Sequence, residues 1–76
     1  MIEYNFSTNL RKIRKEQGVT QNELARGIRV SQVTVSEWET NVRYPTVDRI
    51  YEIANFLKVP VNALLSDTQE NDGKAY

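Results

Sequence analysis

The chain has 76 residues, no cysteine, no histidine and a formal net charge of zero. That length allows one small domain near the lower edge of independent stability, and the lack of thiols excludes a disulfide framework or thiolate metal site. No run approaches the roughly 18 consecutive apolar residues of a membrane span, and Met1–Asn5 lack the basic start of a secretory signal, so a cytoplasmic protein without membrane contact is expected.

Helical spacing dominates the chain. From Phe6 to Gln17 the apolar residues Phe6, Leu10 and Ile13 fall three or four apart, Ser7 or Thr8 can cap the start, and Gly18 suits a left-handed end. Thr20-Gln21-Asn22-Glu23 reads as a capping box opening a helix over 21–28, with Leu24, Ala25 and Ile28 inward. Ser31 can cap a third helix over 32–39 with Val35 and Trp38 inward. Thr40–Pro45 reads as a loop, because a residue before proline is biased away from helix. Thr46 can cap a fourth helix along which Val47, Ile50, Ile53, Ala54 and Leu57 keep the period, and Pro60 suits the start of a short fifth helix carrying Val61, Leu64 and Leu65. The expected fold is all-α, a compact bundle of four to five short helices. Residues 1–5 are expected as a flexible or extended arm, 6–66 as the folded domain and 67–76 as an acidic, disordered tail.

Zero net charge counts against a nucleic-acid partner, but its distribution is uneven. Ser66–Tyr76 holds Asp67, Glu70 and Asp72 against Lys74, and the rest of the chain is mildly basic. Phosphate attraction needs only local cations, so charge leaves DNA binding open.

The two short helices 21–28 and 32–39, joined by Arg29-Val30-Ser31, carry the functional information. Ala25 is small where the helices would cross, and Leu24, Ile28, Val30, Val35 and Trp38 supply the apolar contacts. This is the pattern of a helix-turn-helix, whose second helix enters the major groove, although a generic helical hairpin has the same periodicity.

Thr20-Gln21-Asn22-Glu23-Leu24-Ala25, Val30-Ser31, Val35-Ser36-Glu37-Trp38-Glu39, Arg43-Tyr44-Pro45 and Leu64-Leu65 together resemble the lambda-repressor and Cro superfamily of Xre-type regulators, over roughly Phe6 to Asp67. The resemblance implies a sequence-specific, double-stranded-DNA-binding regulator of repressor type, acting as a homodimer on two-fold related half-sites. It implies that Gln32 and Val33 point at base edges, with Ser36 and Glu37 one turn on as further base readers. Gln21 would meet a phosphate, and Thr34, Thr40 and Arg43 would approach flanking phosphates. Arg14 and Glu39 match a structural ion pair. Each has a plainer reading: Gln32 and Val33 as ordinary surface, Glu37 as merely outward-facing, Arg43 as a solvated loop cation. Trp38 is expected in the core.

The sequence departs from that pattern at Arg29, Asn41 and Lys58, which stand where glycines are common in the family, while a glycine occurs at Gly27. Either these turns bend differently or the fold carries strain, at about 1–2 kcal/mol for a left-handed non-glycine residue. Arg29 would also be placed to reach a phosphate. The dimer surface is expected at Tyr51, Phe56, Val61 and Leu65, with an Ile2-Tyr4-Phe6 arm as second choice; completion of the monomer core explains these residues nearly as well.

Two other functions fit the same residues. An antitoxin or restriction-modification controller would read DNA alike and add a dedicated protein partner. A helical interaction module without DNA binding is suggested by the zero net charge and Glu37. No enzyme is expected, since there is no glycine-rich phosphate loop and no domain large enough to enclose a pocket. No cofactor or metal is expected.

Overall fold

A computed structural model describes residues 2–66 of the chain, with side chains from residue 5 onward. Residues 67–76, expected as an acidic tail, lie outside the described residues. Five helices follow one another: α1 (Ile2–Glu16), α2 (Gln21–Ile28), α3 (Gln32–Glu39), α4 (Val47–Leu57) and α5 (Val61–Leu65). Among the described residues there is no strand, and no helix is long and apolar enough to cross a membrane.

The core is the set of inward faces that the helical period selects. Phe6 and Leu10 of α1, Leu24, Ala25 and Ile28 of α2, and Val35 and Trp38 of α3 are buried with Ile50, Ile53, Ala54, Leu57 and Leu64. Phe6 also meets Tyr44 edge-on, ring centroids 5.6 Å apart. Val47 breaks the expected pattern. It opens α4 and is 66% exposed, so the buried stripe of that helix starts at Ile50.

α1 begins earlier than the sequence predicts. Residues 2–5 are helical rather than an extended arm, since neither proline nor glycine interrupts the chain before Phe6. Ser7 therefore sits inside the helix, buried, and its hydroxyl donates to the Glu39 carbonyl at 2.7 Å instead of capping α1. The same geometry places Phe6 in the core, which removes it from a dimerising arm.

The expected caps form at Thr20, Ser31 and Thr46. Each side chain accepts from the amide three residues on, and Thr20 completes a capping box with Glu23. The helix ends share a device. Gly18, Arg29, Asn41 and Lys58 all adopt positive φ, between 60° and 71°, and each is followed by a valine. The amides of Val19, Val30, Val42 and Val59 donate to the carbonyls of Arg14, Ala25, Glu37 and Ala54, five residues back, at 2.9–3.0 Å. This is the hydrogen bond that closes a Schellman turn. Val19, Val30 and Val59 pack on the core, which offsets the strain of left-handed Arg29 and Lys58. Val42 instead is 69% exposed.

Side chains from elsewhere in the fold meet the last or next-to-last carbonyl of four helices. Arg49 donates to Ile28 O at 3.1 Å, Ser7 and Arg11 to Glu39 O, Gln17 to Leu57 O at 2.7 Å, and Asn9 to Leu64 O at 3.0 Å. The last turns of α2, α3, α4 and α5 thus each take a hydrogen bond from elsewhere in the fold.

Gly27 has a packing role. A Cβ there would lie under 3 Å from three ring carbons of Phe56, so the ring of Phe56 can rest on α2 in this position only because the residue is glycine. Gly27→Ala is expected to destabilise the parent by about 1–2 kcal/mol through overpacking. In a Phe56→Ala background the same change is expected to stabilise by about 0.5–1 kcal/mol, since alanine is the better helix former. Chemical denaturation of the four proteins measures both values, and the same sign in both backgrounds would refute the packing role.

Candidate nucleic-acid interface

The capping box starts α2 at Gln21, the left-handed Arg29 ends it, and Ser31 immediately caps α3, so two residues separate the turn from the next helix. Val35 and Trp38 bury one side of α3 against the core. Residues 32, 33, 36 and 37 then fall together on the other side, since one turn separates 32 from 36 and 33 from 37. Gln32 is exposed, Val33 is 65% exposed, and Ser36 and Glu37 are half-buried.

Beneath this face lies a hydrogen-bonded chain anchored on a buried charge pair. Arg14 Nε donates to Glu39 Oε2 at 2.6 Å and Arg14 Nη2 to Glu39 Oε1 at 2.9 Å, with side-chain exposures of 10% and 2%. The hydrogen bond to Glu39 raises the pKa of the Arg14 guanidinium above its ordinary value, with burial opposing. Glu39 Oε1 also accepts from Gln21 Nε2 at 3.1 Å, and Gln21 Oε1 accepts from Gln32 Nε2 at 3.5 Å. A carboxylate only accepts, so it turns the amide nitrogen of Gln21 toward itself and the amide oxygen toward Gln32. The last link is long and correspondingly weak.

The other expected contact residues are also engaged. Thr34 Oγ1 lies 2.9 Å from Ser31 Oγ at the α3 cap, and Thr40 Oγ1 donates to Ser36 O at 2.9 Å. Arg43 Nε pairs with Glu37 Oε1 at 3.1 Å. Arg29 is exposed, and its guanidinium has no partner among the described residues. The structure thus brings Gln21 and Gln32 together and pairs Glu37 with Arg43, while Arg29 stands without a partner among the described residues.

Sequence reasoning missed Ser7 and Arg11, which hold the end of α3, and the bond from Gln21 to Glu39. No local spacing joins residues so far apart. Of the expected dimer residues, Tyr51 is 56% exposed, Phe56 rests on Gly27, and Val61 and Leu65 are half-buried against the core. Among the described residues no group of three or more His, Cys, Asp or Glu could hold a metal ion.

Two short crossed helices, the second presenting a polar outer face and a buried inner one, define a helix-turn-helix. Residues 10–64 match the helix-turn-helix family, and the chain belongs to it. It is 33% identical over 66 residues to the cryptic phage CTXphi transcriptional repressor RstR of Vibrio cholerae, covering 87% of this chain and 60% of that protein. It is 33% identical over 61 residues to the HTH-type transcriptional activator BcrR of Enterococcus faecalis, covering 80% of this chain and 30% of that one. The chain therefore spans less than two thirds of either relative's length. The solved structure of the hypothetical transcription factor NHTF from Neisseria superposes with a TM-score of 0.85 at 28% identity, over 93% of this chain and 82% of that one.

Proposed function

We propose that the chain is a sequence-specific, double-stranded-DNA-binding transcription regulator of repressor type that inserts α3 into the major groove. The observation that carries this reading is the outer face of α3 within a helix-turn-helix of the matched family: Gln32, Val33, Ser36 and Glu37 lie outward while Val35 and Trp38 are buried. Gln32 can make a paired contact to adenine, Val33 can meet a thymine methyl, and Glu37 can accept from cytosine. Gln21, Arg29, Thr34 and Thr40 are the residues assigned to phosphates, and Thr40 would first have to release its bond to Ser36. Arg43, expected at a phosphate as well, is already paired with Glu37. A repressor is favoured over an activator by the likeness to RstR, which extends over more of that protein than the likeness to BcrR does.

One recognition helix covers about half a site, so discrimination across a genome calls for a homodimer on two-fold related half-sites. Exposed Tyr51 on α4 is the first candidate for its surface. The reading assigns no catalysis and places the protein in the cytoplasm.

Titration of a random-sequence duplex at rising salt tests the DNA partner. Log affinity is expected to fall linearly with log salt concentration, and an affinity flat across salt would sink the reading. Selection of bound duplexes from a random pool tests the rest. Two inverted half-sites about one helical turn apart are expected, and a single unrepeated half-site would rule out the homodimer.

A further inference from the structure

We propose that Arg43 governs DNA selection through Glu37, as a counter-charge held over a base-reading carboxylate, and is not an independent phosphate clamp. The inference rests on the DNA-binding reading above. A bare carboxylate on the groove-facing side of α3 would be repelled by the phosphates. With Arg43 Nε at 3.1 Å from Glu37 Oε1, the pair approaches DNA as a neutral unit. Glu37 Oε2 is left to accept from the exocyclic amine of cytosine.

The backbone builds this arrangement before the side chains meet. Asn41 adopts φ 64°, and the amides of Val42 and Arg43 both donate to the Glu37 carbonyl, at 2.9 and 3.2 Å. The loop therefore folds back over residue 37, bringing residue 43 to it across six positions that no helical period relates. Glu37 is the more covered partner, its side chain 31% exposed against 67% for Arg43. Glu37 has no other cation within ion-pair distance among the described residues.

A neutral pair and a free clamp respond oppositely to substitution. The test is a double-mutant cycle of Arg43→Ala, Glu37→Gln and the double variant, read by titrating a random-sequence duplex across salt. Arg43→Ala exposes the carboxylate and is expected to weaken binding about tenfold. Glu37→Gln frees the guanidinium for a phosphate. It is expected to strengthen binding and steepen the salt slope by about one. The double variant, uncharged like the pair, is expected within about twofold of the parent. If instead Arg43→Ala flattens the salt slope by about one while Glu37→Gln leaves it unchanged, Arg43 already sits on a phosphate in the parent as a simple clamp and the proposal is overturned, with DNA binding intact. If the parent binds duplex without salt dependence, the DNA reading fails and the proposal fails with it. Melting temperatures within a few degrees of the parent confirm that these substitutions leave the fold in place.

Discussion

Glu39→Ala is expected to lower stability by about 3–5 kcal/mol, the loss seen when one partner of a buried ion pair is removed. The size follows from what the change strands. The Arg14 side chain is 10% exposed and directs two of its nitrogens at Glu39, so without the carboxylate a buried cation keeps, among the described residues, only the Val19 carbonyl as partner. Gln21 loses its acceptor as well. The Glu39 carbonyl that receives Ser7 and Arg11 survives, so the loss isolates the side chain. In a domain this small, each kcal/mol moves the melting temperature by roughly 4–8 °C. A fall of about 15 °C or more, or loss of a cooperative transition, is therefore expected in calorimetry; a midpoint within a few degrees of the parent would refute the role. Replacing both partners by apolar residues of similar volume is expected to cost far less, because no charge is then stranded.

Gln32→Ala is expected to act on binding instead. Gln32 is exposed at the first position of α3, and among the described residues its side chain hydrogen-bonds only to Gln21, at the weak distance of 3.5 Å. Truncation should leave the melting temperature alone and remove a paired base contact worth about 1–3 kcal/mol, or roughly 5- to 150-fold in affinity for the selected duplex. Affinity for random duplex should barely change, since phosphate contacts supply it. Equal losses on both duplexes would mean that Gln32 holds the backbone and does not read sequence.

Much of the framework was legible because local rules govern it. The caps at Thr20, Ser31 and Thr46 need only a hydroxyl three residues before an amide, and the inward faces need only the helical period. Gly18 and Pro60 mark their boundaries by backbone geometry alone. The ion pair of Arg14 and Glu39 was visible only through family resemblance, because 25 residues separate the partners. What escaped depends on which surfaces meet. Ser7 reads as a cap until the end of α3 arrives to accept its proton. Gly27 reads as a weakness in α2 until Phe56 arrives from α4. The pairing of Glu37 with Arg43 waits on the left-handed turn at Asn41, a conformation that asparagine tolerates but does not announce.

The borrowed donors at the helix ends bear on how the molecule opens. An isolated helix frays from its termini at little cost, because water replaces the bonds it loses. Here Gln17, in the turn after α1, holds the last carbonyl of α4, Arg49 of α4 holds that of α2, and Ser7 of α1 holds that of α3. Unwinding any one of these ends breaks a bond that another segment supplies, so the small openings that normally precede unfolding are tied to one another. With no cysteine to cross-link it, the domain ties its helix ends together through this exchange of donors. Loosening α1 together with the turn that follows it would therefore free the last carbonyls of both α3 and α4.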